Sequence, residues 1–188
     1  LRETQAMVND RPWGIGLLGF IPPEFYSAQV ELTQQYKPTC VLIAGGRPSQ
    51  AAEFEAHGIK AYLHVPSHRL LDLFLGEGVH KYIFEGRECG GHIGRYSSFV
   101  LWENAIDVLL DRTSEETDRT GYDLWFAGGI STATSSAMVA AMAAPLCELG
   151  MRIGVLMGTA FLLTHEAVET GAICPNFQNR LLESDHTV

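Results

Sequence analysis

The stretch Tyr82-Ile83-Phe84-Glu85-Gly86-Arg87-Glu88-Cys89-Gly90-Gly91-His92-Ile93-Gly94 decides how the rest of the chain is read. A short apolar run passes directly into a loop that carries a carboxylate, closely spaced glycines and a histidine. Glycines have no Cβ to keep backbone N–H groups away from a ligand. A histidine held among them is placed for proton transfer near neutral pH. Strand, glycine loop and histidine together read as the active-site end of an α/β scaffold.

Outward from this stretch the same pattern repeats: apolar run, glycine-bearing loop, amphipathic segment. Strands are expected at 13–18, 40–44, 60–65, 82–85, 124–127 and 154–157, and helices at 23–36, 49–57, 66–75, 98–110, 132–144 and 160–170. Strands that alternate with helices imply a parallel sheet, and their continuous apolar runs fit burial on both faces. The polar run 111–121 reads as a surface loop. A complete (β/α)8 TIM barrel has eight such units and typically ~250 residues. Residues 1–10 resemble the tail of a helix whose strand is absent, and 177–188 suggest no element. The expectation is one barrel domain over 1–188 with about six of the eight units, lacking its first two strands, as a fragment of a larger protein. An open doubly wound sheet is the structural alternative.

Composition narrows the class. The 188 residues are 46% hydrophobic and 19% charged, as in globular proteins. Twenty-two acidic against thirteen basic residues give a net charge of −9, with no basic run. That excludes nucleic acid as an expected partner and provides no basic membrane-surface helix. The apolar tract 138–163 is broken by Pro145, Glu148 and Arg152, so no membrane span is expected. Cys40, Cys89, Cys147 and Cys174 form no CxxC pair, so neither a metal site nor a disulfide framework is expected. Reduced thiols fit a cytoplasmic protein.

Three glycine loops follow later strands: Gly90 and Gly91, then Gly128 and Gly129, then Gly158 with Thr159. In a barrel the last two strands commonly cradle a phosphate with backbone N–H groups and a helix N-terminus. Ser131 or Thr132 is placed to cap the helix that follows. His92, just past a strand and between glycines, is the candidate catalytic residue. A buried carboxylate at Glu85 would be costly alone. It has two readings, acceptor for a bound heterocycle or partner of Arg87 or Arg95. His64 and His68 bracket Pro66-Ser67, where substrate contact, helix capping and solvent exposure are all open. Gly45-Gly46 either leaves room for a flat ligand or turns the chain. Nothing in the sequence activates Cys89. Phe99, Leu101 and Trp102 are expected in the core, and the Ala-rich segment 137–144 against the sheet.

Glu85-Gly86 with Gly90-Gly91-His92-Ile93-Gly94, followed by Ala127-Gly128-Gly129-Ile130 and Met157-Gly158-Thr159, resembles the nitronate monooxygenase (2-nitropropane dioxygenase-like) family of FMN-dependent barrels. That family includes flavin-dependent enoyl-acyl-carrier-protein reductases. The resemblance runs from Trp13-Gly14-Ile15-Gly16 to Met157-Gly158-Thr159-Ala160-Phe161-Leu162; the family's first two strands have no counterpart. The run 86–94 with Ser97-Ser98-Phe99-Val100-Leu101-Trp102-Glu103 is most similar to versions within polyketide or fatty-acid synthases. The resemblance implies that Gly90, Gly91, Gly128, Gly129, Gly158 and Thr159 bind FMN, that Glu85 lies near the flavin ring, and that His92 is catalytic. It implies NAD(P)H-dependent reduction of an enoyl thioester, small or carried on acyl-carrier protein, with other synthase domains as partners. Oxidation of alkyl nitronates with O2 is the alternative within the family. A flavin-free phosphate-binding isomerase and an inactive structural barrel segment of a megasynthase are the alternatives outside it.

Overall fold

The structure, a computed structural model, describes residues 1–91 and 93–184; the candidate His92 lies outside the described residues. Helix α1 (Arg2–Val8) precedes six βα units. The strands are β1 (Gly14–Leu18), β2 (Cys40–Ala44), β3 (Lys60–His64), β4 (Lys81–Glu85), β5 (Asp123–Ala127) and β6 (Arg152–Leu156). The intervening helices are α2 (Pro23–Tyr36), α3 (Pro48–Glu55), α4 (His68–Gly76), α5 (Ser98–Arg112) and α6 (Ala133–Glu148). After β6 come α7 (Thr159–Leu162), α8 (His165–Glu169) and α9 (Pro175–Glu183).

All neighbouring strands pair in parallel, in the order β1-β2-β3-β4-β5-β6. The two faces of the sheet differ. Alternate residues such as Val41, Ile43, Leu63, Phe84, Leu124 and Phe126 join one large core with helix residues Phe54, Leu71, Leu101, Leu109, Val139 and Leu146. The opposite face carries a small cluster of Tyr62, Ile83 and Ala127, edged by Cys40, Leu42, Cys89, Trp125 and Leu156. Helices on one face and sequential strand order make this a partial (β/α) TIM barrel. A doubly wound sheet would have helices on both faces and a reversal of strand order, so that alternative falls. The bare face is the barrel interior, where Gly14, Gly16, Cys40, Leu42, Tyr62, Ile83, Trp125 and Leu156 line a cavity of ≈ 320 Å³.

Three expectations about helices need correction. The segment 160–170 is not one helix, because Thr164 starts a new one: its Oγ1 accepts from the Ala167 amide. Helix α6 does not stop before Pro145 but continues to Glu148. Burial of Ala143 and Leu146, both at 0% exposure, holds that last turn against the sheet despite the missing proline N–H. The tail also contains an element, α9, which opens with Pro175 in its first turn, where a proline costs no hydrogen bond. Residues 185–188 lie outside the described residues.

Within α5, Leu101 and Trp102 are buried, and Trp102 Nε1 donates to the Phe84 carbonyl at 3.4 Å. Phe99 is instead 52% exposed, on the face of α5 turned from the sheet. The Ala-rich segment packs only along one stripe, through Val139 and Ala143. The loop 111–121 is tied down at Thr113, which is buried and whose carbonyl accepts from Arg119 Nε at 2.8 Å.

Candidate functional site at the strand carboxyl ends

The loops after β4, β5 and β6 meet around one cavity of ≈ 760 Å³. Its walls include Glu85, Glu88, Cys89, Gly90, Gly128, Gly129, Gly158 and Thr159, with Ile130, Leu156, Met157, Leu162 and Leu163 as apolar surface. The volume falls within the range of small-molecule sites, roughly 300–1,000 Å³. Parallel strands in register bring the three loops together: Glu85 pairs with Ala127 in the β4–β5 ladder, and Ala127 with Leu156 in the next. All three chains therefore leave the sheet at one level.

The glycines of this mouth have different physical duties. A Cβ on Gly86 or Gly128 would overlap Ser98 at the start of α5. These two residues let the helix terminus press against the sheet. Gly128 also has φ +118° and Gly129 φ +68°, backbone that other residues rarely adopt. A Cβ on Gly90 or Gly158 would meet nothing within 4 Å, and the same holds for Gly91 at φ +84°. Gly90 and Gly158 therefore border open space within the cavity wall.

Glu88, which no sequence pattern marks, organises the loop. Its Oε2 accepts from the Ser98 amide at 2.7 Å and from Ser98 Oγ at 2.5 Å. Burial works against the Glu88 carboxylate, but the hydrogen bonds from Ser98 win and its pKa lies below the usual carboxylate value. Thr132 is the N-cap of α6, accepting from the Ser135 amide at 3.1 Å. Ser135 Oγ in turn accepts from the Ser131 and Thr132 amides at 3.1 and 3.0 Å. Those two donors thus face a side chain of their own helix.

Glu85 is partly buried at the cavity floor, and burial raises its carboxyl pKa. The residue in contact with it is neither Arg87 nor Arg95 but His64, whose Nε2 stands 3.4 Å from Glu85 Oε2. His64 belongs to β3 and is 4% exposed, so neither capping nor solvent exposure describes it. Ser67 caps α4 instead, accepting from the Leu70 amide. Cys89 is a protonated thiol, pushed up to about 12 by burial and then by the charges of Glu85 and Glu88. After β2, Gly45 and Gly46 serve packing: a Cβ on Gly45 would strike the Phe20 ring, and one on Gly46 would strike Ile43.

At the opposite end of the strands, Asp123 Oδ2 accepts from Tyr62 Oη at 2.8 Å and Oδ1 from Trp125 Nε1 at 3.1 Å. Arg152 and Lys60 approach the same carboxylate at 3.0 and 3.7 Å. No group of His, Cys, Asp and Glu among the described residues is arranged to hold a metal ion. No helix among the described residues is long and apolar enough to cross a membrane.

No family model and no curated protein matches the chain. Solved structures do. FabK from Thermotoga maritima superposes with a TM-score of 0.73 at 21% identity, over 97% of this chain and 51% of that one. Nitroalkane oxidase from Streptomyces ansochromogenes gives 0.66 at 17% identity, over 88% and 55%. The enoyl reductase domain of MlnA, from the macrolactin biosynthesis cluster of Bacillus amyloliquefaciens, gives 0.52 at 14%, over 82% and 44%. The chain thus spans about half the length of the structures it matches, and at these identities the likeness is one of fold. These neighbours fall in the nitronate monooxygenase-like family that the glycine loops resemble, and the fold shared with them is that of a TIM barrel.

Proposed function

We propose that this chain forms the greater part of a flavin site in an oxidoreductase that reduces an enoyl thioester with NAD(P)H, in fatty-acid or polyketide synthesis. The observation that carries the reading is the convergence of Gly90, Gly128, Gly129, Gly158, Thr159 and Glu85 on one cavity. A partly apolar pocket with a few convergent polar groups is the kind of place that a flat, phosphorylated cofactor fits. Gly90 and Gly158 have open space where a Cβ would stand, which leaves backbone accessible to an anion.

FMN, when bound, would supply the hydride-transfer chemistry that side chains lack. The chain's own residues would bind and orient. Gly128, Gly129, Gly158 and Thr159 would hold the phosphate, and Gly90 and Gly91 would lie along the cofactor. Glu85 would accept a hydrogen bond from a ring N–H. Leu156, Met157, Leu162 and Leu163 give the cavity an apolar wall that excludes water from the reacting atoms. His92 would polarise the thioester carbonyl or deliver the proton to the α-carbon, on the strength of the sequence resemblance. A cytoplasmic location and an acyl-carrier-protein-bound substrate belong to the same reading, with other synthase domains as partners.

The test is a titration of the purified protein with FMN, followed by flavin fluorescence, then two assays on the loaded protein. Oxidation of NADH or NADPH that depends on crotonyl thioester supports the proposal. Oxygen uptake driven by alkyl nitronate would assign the alternative oxidase chemistry. Failure to bind FMN would remove the flavin reading altogether.

A further inference from the structure

The register of the sheet sets two ionisable side chains side by side below the mouth. His64 pairs with Ile83 in the β3–β4 ladder, and Glu85 follows Ile83 by two residues, on the same face of the sheet. Glu85 lines the mouth cavity, whereas His64 is buried behind it with Nε2 3.4 Å from Glu85 Oε2.

We propose that His64 is a positioning residue, which from the end of β3 holds the Glu85 carboxylate in place as a hydrogen-bond acceptor for an N–H-bearing ring in the mouth. The identity of that ring rests on the flavin reading above; the pairing of the two side chains does not. Burial alone disfavours an ionised Glu85. Among the described residues, the titratable groups near it are His64 from β3 and Cys89 and Glu88 from the loop, while β5 presents Ala127 and α5 presents Ser98. Cys89 stays neutral, Glu88 is engaged by Ser98, and Arg87 acts on Glu88. Among the described residues, the basic group in contact with Glu85 is His64. A protonated imidazole at this range would lower a carboxyl by about 1–3 pH units, against the rise that burial imposes on Glu85.

The experiment reads Glu85 directly. Protein labelled with 13C at the glutamate carboxyls is titrated by NMR, and the Glu85 resonance is assigned by its loss in Glu85→Gln. The Glu85 midpoint is expected to rise by about 1–3 pH units in His64→Phe, with His64→Gln, which keeps a donor but no charge, between the two. His64→Gln also stands in if the phenylalanine variant does not fold. Equal midpoints in wild type and variants overturn the inference. FMN binding followed across pH in the same proteins separates it from the broader reading. A shifted carboxyl without FMN binding upholds His64 and removes the flavin; FMN binding with an unmoved carboxyl removes the His64 role and leaves the flavin.

Discussion

Ser98 and Glu88 are ten positions apart, and the amide and hydroxyl of the first both donate to one carboxylate oxygen of the second, at 2.7 and 2.5 Å. An acid of the glycine loop thereby caps helix α5. The same serine fills the space that a Cβ on Gly86 or Gly128 would need. The loop after β4, the loop after β5 and the helix start are one mechanical unit, and the mouth cavity is moulded on it.

The cap has a pH signature. Glu88 is lowered in the folded state, so its stabilisation is present above the unfolded carboxyl value, near ~4.3, and is lost as pH falls through the lower folded value. Glu88→Gln should destabilise by about 1 kcal/mol or less at pH 7, the scale of a solvent-exposed cap. The difference from wild type should shrink at pH 3. Urea melts at the two pH values check this; a difference that grows on acidification would contradict the sign.

Gly128→Ala should be more harmful. It brings a methyl group onto Ser98 and forces φ +118° on a residue with a Cβ. Overpacking and strain of this kind cost about 1–3 kcal/mol each. The double variant Gly128→Ala with Ser98→Gly should recover the steric part but not the backbone part, a partition that thermal melts of the four proteins can read. Gly90→Ala, whose Cβ meets nothing, should leave stability within about 0.5 kcal/mol.

The strands were legible because each is a short continuous apolar run bounded by polar turns, so β2 falls at 40–44 as expected and the others shift by one or two residues. Glycine loops at strand ends announced the mouth for the same local reason. Contacts that depend on pairing across the sheet were not legible. His64 lies in the strand beside Glu85 only because β3 and β4 pair with His64 opposite Ile83. Glu88 carries no sequence signal of its capping role because its partner Ser98 lies ten residues on, past an intervening loop. The tail helix α9 escaped because its nine residues include only Phe177, Leu181 and Leu182 as large apolar side chains. The break between α7 and α8 depends on one threonine that caps rather than continues.

Asp123 draws β3, β5 and β6 together at the far end from the mouth, through Tyr62, Trp125 and Arg152. Asp123→Ala would strand the Tyr62 hydroxyl and the Trp125 N–H, each costing about 1–3 kcal/mol when left unpaired. The expected loss is about 2–4 kcal/mol in urea unfolding. Adding Tyr62→Phe should restore part of it, since one stranded group disappears. If the mouth binds FMN as proposed, its affinity should change by less than about threefold, because the network lies at the other rim.

His92→Ala tests the role inferred from sequence. If the histidine handles the substrate carbonyl or proton, turnover should fall by about 10²–10⁴ while FMN affinity changes little. Rapid-mixing kinetics divides the effect: reduction of the flavin by NAD(P)H should survive, and the step that consumes thioester should slow. Loss of FMN binding instead would make His92 part of the cofactor cradle.

Cys89 gives a chemical probe of the cavity that needs no turnover. Its thiol is pushed up to about 12 by burial and by the nearby Glu85 and Glu88, while Cys147 and Cys174 are exposed. Alkylation needs the thiolate, so at pH 8 Cys89 should react with iodoacetamide at least about a hundredfold more slowly than either exposed cysteine. Glu85→Gln removes one of the repelling charges and should speed the reaction at Cys89 alone. Peptide mapping by mass spectrometry follows all three sites in one sample. Equal rates at Cys89 and Cys147 would mean that the acid-lined floor does not exert the field that the geometry implies.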